Sequence, residues 1–198
     1  MDHNLIKQCI TGQRHAQFLL YENCFPWLMQ VCLRYMPDET EARAILNSGF
    51  LKIIMNLNRY NPDVPFEAWG KRIMINTIID AFRKTQSLRR KVEIVELDHT
   101  AESRHVDYNQ AELLLEAEQY QRMIHQLPEI PRKVFNLYAI DGYSHAEIGE
   151  LLSISPGTSK WYLNAARQNL KEMIASKLQK DQGPLKGPPR QISVNQPR

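Results

Sequence analysis

The sequence predicts an all-α chain of two small helical domains joined by a flexible acidic linker. Three observations carry that expectation. Apolar residues recur at spacings of three and four through most of residues 1–91. The sign of charge then reverses in a poorly periodic stretch. Helical periodicity resumes near Asn109 and ends in two capped helices separated by a tight turn.

In the first domain, Leu5, Ile6, Cys9 and Ile10 mark a short amphipathic helix that ends near Gly12. A second helix is expected over about His15–Tyr35, with Phe18, Leu19, Phe25, Leu28, Val31, Cys32 and Tyr35 apolar. Pro26 inside it should kink or split it, because proline lacks the amide donor and crowds the preceding turn. Pro37-Asp38-Glu39 reads as a turn and a new start. Over about Glu39–Asn58, Ala42, Ile45, Leu46, Gly49, Phe50, Ile53, Ile54 and Leu57 give one buried face. Ala44, Leu51 and Met55 add a second apolar strip, so this helix is either central in its bundle or docks a partner. Arg59–Pro65 is a turn-rich loop with two prolines.

The stretch Phe66–Lys91 carries seven basic residues (Lys71, Arg72, Arg83, Lys84, Arg89, Arg90, Lys91) against Glu67 and Asp80, with Phe66, Trp69 and Phe82 interleaved. Cations can meet phosphates and flat rings can meet unstacked bases. A solvated amphipathic helix with its aromatics in the core fits the same residues, which leave both readings open. Asp80 reads as a helical-spacing partner of Arg83 or Lys84.

Residues 92–108 form the acidic linker, a solvated spacer or a tether that imitates nucleic acid inside a basic channel. The second domain is expected over 109–178. A helix runs from Asn109 to about Gln126, and Pro128 restarts the chain toward a stop at Asp141-Gly142. Ser144 with Glu147 makes a capping box, with Ile148, Leu151 and Leu152 inward. Ser153–Ser155 turn the chain, and Pro156 suits the first helical position after a Ser155 cap. Leu163, Ala166, Leu170 and Ile174 form the inner face of the last helix. This is a helix-turn-helix. The tail 179–198 is rich in Pro and Gly and should be disordered.

A net charge of +3 is too small to demonstrate a polyanion partner, so the argument rests on where the charge lies. Three cysteines, Cys9, Cys24 and Cys32, lack CxxC spacing and fit a reducing compartment. No apolar run reaches the roughly 20 residues of a membrane span, and the N-terminal residues lack a signal-peptide core, so a cytoplasmic protein is expected. The histidines show no metal spacing, and there is no phosphate loop or nucleophile motif. No metal, cofactor or catalytic residue is expected, and the chain does not read as an enzyme.

Three motifs in this order resemble a known family: YENCFPWLMQVCLRYM, FEAWGKRIMINTIIDAFRK, and LPEIPRKVFNLYAIDGYSHAEIGELLSISPGTSKWYLNAARQNL. The pattern formed by Phe66, Trp69, Arg72, Ile73, Asn76, Asp80 and Arg83 is specific, and the element Gly157, Thr158, Lys160, Ala166 and Arg167 supports it. The chain is similar in these to bacterial RNA polymerase sigma factors of the extracytoplasmic-function group, which keep only regions two and four. The resemblance covers about Tyr21–Leu178.

The resemblance implies a protein that binds core RNA polymerase and promoter DNA, has an anti-sigma protein as partner and inserts in no membrane. Region two, residues 1–91, would hold the polymerase clamp and open the minus-ten element. Its candidate DNA residues are Trp69, Lys71, Arg72, Asn76, Thr77, Arg83 and Lys84, with Asn76 and Thr77 at base-contacting positions. An Asn side chain both donates and accepts, which suits a flipped base edge. Region four would place Pro156–Leu178 in the major groove of the minus-thirty-five element. Thr158, Lys160, Trp161, Asn164 and Arg167 are its candidate contacts, with Arg132 and Lys133 on the flanking backbone. Polymerase contacts are expected at Glu41, Asn47, Ser48, Leu51 and Met55. Within EARAILNSGF only Glu41 and Phe50 keep the family's character; Arg43, Ala44, Asn47 and Ser48 stand where acids or Gln are expected. The alternative is a helix-turn-helix regulator that binds DNA with weak or no polymerase binding.

Overall fold

A computed structural model describes residues 1–91 and 119–181, apart from the side chains of 87–91 and 178–181. The acidic linker 92–108, the start of the helix expected from Asn109, and the tail beyond Asp181 lie outside the described residues. Among the described residues every regular element is a helix.

The first bundle comprises α1 (His3–Ile10), α2 (Arg14–Tyr35), α3 (Glu39–Asn56), a 3₁₀ turn (Leu57–Arg59) and α4 (Phe66–Lys91). Asp2 caps α1, its carboxylate accepting from the Asn4 amide. Gly12, at φ +80°, makes the turn into α2. Asp38 caps α3 by accepting from the Glu41 amide. Leu20, Leu28, Leu46, Ile53, Met74 and Ile78 are fully buried where α2, α3 and α4 meet.

The second bundle comprises α5 (helical over 119–125), α6 (Glu129–Phe135), a π-helical turn (Asn136–Ile140), α7 (His145–Leu152) and α8 (Pro156–Asp181). The Ser144–Glu147 capping box is present on both of its bonds. Ser155 Oγ accepts from the Thr158 amide, so α8 starts where the sequence places it. Ser153 turns the chain in the left-handed region at φ 56°.

Three local expectations differ from the structure. Pro26 neither splits nor ends α2, which runs unbroken over 22 residues. The carbonyl that loses its donor belongs to Glu22, which is exposed to water, while Cys24, Leu28 and Met29 anchor the buried face. Ile174 is 36% exposed rather than inward, because α8 runs on past its partners. Asp80 reaches across to Lys52 of α3 at 3.1 Å instead of pairing along its own helix.

The two bundles pack on each other and share one apolar core, from Leu20 and Met74 to Val134, Leu137 and Ile148. α7 lies against α4.

Candidate nucleic-acid interface

α4 presents its basic residues on its outer side because its inner side is apolar. Met74, Ile75, Ile78, Ile79 and Phe82 are buried, and Arg72, Asn76, Arg83 and Lys84 are exposed. Asn76 carries no side-chain bond to a neighbouring element that would hold it inward, and its amide faces solvent. Lys71 is paired with Glu67 one turn back, at 2.9 Å. The loop before α4 is held by rings. Tyr60 packs against Phe66 and Trp69 at centroid distances of 5.2 Å each, and its hydroxyl donates to the Val64 carbonyl. Trp69 is thus part of a rigid aromatic corner at the head of the helix, half-buried rather than free to swing.

Two residues expected to touch DNA are placed inward. Thr77 is 4% exposed and its hydroxyl donates to the Ile73 carbonyl at 2.8 Å, so the side chain serves its own helix. Lys133 is 4% exposed: its ammonium pairs with Glu129 at 2.8 Å and lies 3.8 Å from the centre of the Phe82 ring on α4. Arg132 donates to the His125 carbonyl and is half-buried. In this arrangement Lys133 braces the two bundles together.

The helix-turn-helix faces outward. Ser159, Leu163 and Ala166 are buried on the inner side of α8, and Lys160, Trp161, Asn164 and Arg167 are exposed. Trp161, at 65% exposure, folds onto nothing but the neighbouring Tyr162 ring. Thr158 is half-buried, and its hydroxyl meets Ser155 Oγ at 2.8 Å within the cap. The angle between α7 and α8 is set by His145 Nδ1 against the buried Ser159 hydroxyl at 2.9 Å; Tyr138 stacks on the same imidazole at 4.5 Å.

On α3 the expected polymerase-facing strip is exposed, with Leu51 at 58% and Met55 at 70%. Around it, Glu41 is exposed, Asn47 accepts from the Tyr21 hydroxyl at 3.1 Å, and Ser48 donates to the Ala44 carbonyl. Arg43 pairs with Glu39 at 2.7 Å. The surface is therefore an apolar ridge flanked by polar groups already engaged within the chain.

Sequence reading missed the contacts between bundles. The Asp141 carboxylate receives Arg34 at 2.5 Å and the Tyr35 hydroxyl at 2.6 Å, both from the end of α2. Burial first, then Asp141, holds the Tyr35 hydroxyl far above its ordinary pKa of 10, so it remains a donor. The buried Asn136 amide donates to the Arg34 carbonyl at 2.8 Å, and Arg83 donates to the Glu150 carbonyl. The Arg72 charge acts on Tyr143 and Glu147. These partners lie over a hundred positions apart in places, and no local pattern announces them.

No group of three His, Cys, Asp or Glu side chains among the described residues could hold a metal, and no described helix is long and apolar enough to cross a membrane.

Known proteins give the same division of the chain. Residues 20–88 match the family model for Sigma-70 region 2, and residues 117–170 match that for Sigma-70, region 4. The ECF RNA polymerase sigma factor SigW of Bacillus subtilis is 27% identical over 182 residues, covering 85% of this chain and 94% of that one. The RNA polymerase sigma-H factor of Pseudomonas aeruginosa is 23% identical, covering 87% and 93%. Among solved structures, the sigma factor RpoE in complex with the anti-sigma factor NepR from Bartonella quintana aligns at a TM-score of 0.54 and 16% identity, over 79% of this chain and 95% of that one. That likeness speaks for the fold.

Proposed function

We propose a function from one premise: the chain belongs to the RNA polymerase sigma factors of the extracytoplasmic-function group. It binds core RNA polymerase, recognises the minus-thirty-five and minus-ten promoter elements, and promotes melting of the DNA at the start site. It is an initiation factor rather than an enzyme, and its partners are core polymerase, promoter DNA and an anti-sigma protein. We place it in the cytoplasm, where polymerase and chromosome meet.

One observation carries the reading: regions two and four match in order, at 20–88 and 117–170, and each presents an exposed polar and basic face. The residue roles follow from exposure. Arg72, Arg83 and Lys84 would take phosphates of the melted strand, and Asn76 would read a flipped base edge. Unstacking a base costs a few kcal/mol, so a pocket that receives it must return hydrogen bonds and stacking; Asn76 and the Tyr60–Phe66–Trp69 corner offer both kinds of group. Lys160, Trp161, Asn164 and Arg167 would meet the major groove, with Asn164 suited to an adenine edge and Lys160 to guanine or phosphate. Leu51 and Met55 would dock the polymerase clamp.

Run-off transcription with core polymerase tests this. A promoter-specific transcript is expected; specific DNA binding without transcript would favour a regulator that does not recruit polymerase. Within the assay, Asn76→Ala should slow open-complex formation more than it weakens duplex binding. Equal loss of both would remove Asn76 from the melting step.

A further inference from the structure

We propose that the packed arrangement of the two bundles is a closed state of this chain, latched by Asp141 against Arg34 and Tyr35, that must open before both promoter elements can be engaged. The inference rests on the function proposed above and adds a regulated step to it.

Reach is the first argument. Elements centred about 25 base pairs apart lie roughly 85 Å apart along B-DNA at 3.4 Å per pair. A compact body built from residues 1–91 and 119–181 has a radius of gyration on the order of 15 Å. It cannot place α4 and α8 on both elements at once. The connection 92–118 can span about 90 Å when extended, at 3.3 Å per residue, so separation is covalently permitted.

Occlusion is the second argument. Arg72, Asn76 and Arg83 stand at spacings of four and seven on α4, along one side of that helix. α7 lies against that helix: Arg83 is spent on the Glu150 carbonyl, and Arg72 faces Tyr143 and Glu147. Phosphate contacts by these arginines require α7 to leave. The minus-thirty-five face of α8 remains exposed throughout.

The chemistry of the joint is the third. It is held by charged and polar groups: Arg34 and Tyr35 on Asp141, Asn136 on the Arg34 carbonyl, and Lys133 against Phe82. It also leaves polar atoms unsatisfied. Among the described residues, the buried side-chain atoms without a protein partner are Arg34 Nε, His125 Nδ1, Arg132 Nε and Asn136 Oδ1. Arg34 and Asn136 are members of the joint, and His125 reaches the Leu33 backbone beside it. Each unpaired buried group carries a desolvation cost that water removes on opening. A joint closed by a few strong bonds and burdened by unpaired groups is suited to release, as polar interfaces between domains generally are.

The experiment uses the full chain. Spin labels are placed on Glu22→Cys in α2 and Glu172→Cys in α8, both exposed positions. The native Cys9, Cys24 and Cys32 are buried and will not compete for label. Pulsed electron resonance should give one short distance in the free wild-type chain. Asp141→Ala should add a long-distance population. It should also tighten binding to a duplex carrying both elements by about tenfold, within the usual range for coupled sites. Tyr35→Phe, which keeps the buried ring and removes one latch bond, should move both readings the same way by less. Long distances already dominant in the wild type, or distances unmoved in both variants, overturn the latch whether or not the wild type transcribes. Opening without tighter DNA binding overturns the inhibitory role.

Discussion

Gly149 sits in α7 where that helix passes the turn into α8. A Cβ built there would stand 2.8 Å from the Ile154 carbonyl oxygen. Ordinary carbon–oxygen contacts begin at about 3.3 Å, so Gly149→Ala must find roughly half an ångström. The obstacle is backbone. The Ile154 amide is itself bonded to the Gly149 carbonyl at 3.0 Å, and Ser153 already occupies the left-handed region. The turn has no slack to give. Overpacking of this kind costs about 1–3 kcal/mol, against a helix-propensity gain of at most ~1 kcal/mol for removing glycine. The net expectation is a loss of about 1–2 kcal/mol, or roughly 2–8 °C in Tm for a chain of this size. Because the strain falls between α7 and α8, binding to a minus-thirty-five duplex should weaken as well. Thermal unfolding by circular dichroism and fluorescence anisotropy with that duplex measure the two effects. Gly157→Ala is the control, since its Cβ meets nothing nearer than Ser155 Oγ at 3.7 Å. A Gly149→Ala protein as stable as wild type, with unchanged affinity, would refute the reasoning.

Further expectations follow from exposure and charge. The double change Leu51→Asp, Met55→Asp should leave stability within about 0.5 kcal/mol, both side chains being mostly in water, while lowering affinity for core polymerase at least roughly tenfold in a competition assay; undiminished affinity would take the ridge out of the interface. His125 is held below its ordinary pKa of 6.5 by burial first and then by the Arg132 charge, against an opposing bond to the Leu33 backbone. The packed state therefore prefers the neutral ring. Its stability is intact above about pH 6.5 and declines as the pH falls below it, where the unfolded chain takes the proton more readily. The urea midpoint should drop on acidification more in the wild type than in His125→Gln, and parallel curves would exclude the histidine. Burial pushes the Cys24 and Cys32 thiols up to about 12, so a thiol reagent at neutral pH should reach them only on unfolding; rapid native labelling would contradict their burial.

Much of the helical layout was legible because its causes are local. Ser144 and Glu147 are three residues apart, and their reciprocal cap needs nothing else. The apolar rows of α3 and α8 announce Leu46, Ile53, Leu163 and Ala166 as core. Pro26 misleads because its cost depends on whether the orphaned Glu22 carbonyl meets water, which only tertiary placement decides. Asp80 has two cations at helical spacing, yet the one it meets belongs to another helix. On the site itself, the outward sets of α4 and α8 follow from periodicity. Thr77 and Lys133 do not, since a polar side chain that folds back on its own helix or braces a second bundle looks the same in sequence as one facing solvent. The Asp141 latch is non-local and lies beyond any window along the chain.

The π-helical turn at Asn136–Ile140 has a consequence for how this molecule can vary. The Asp141 amide bonds the Asn136 carbonyl at 2.9 Å, so this turn holds one residue more than an α-turn would. Upstream of it, Val134 and Leu137 face the shared core; downstream lie Asp141 and the helix-turn-helix. Deleting one residue here would restore α pitch and swing everything that follows by about 100°. The aim of the reading head is thus indexed by chain length, in coarse steps, and side-chain substitution cannot adjust it gradually. Length changes at this turn should be all-or-none in effect, whereas the exposed positions of α8 are free to drift one base preference at a time.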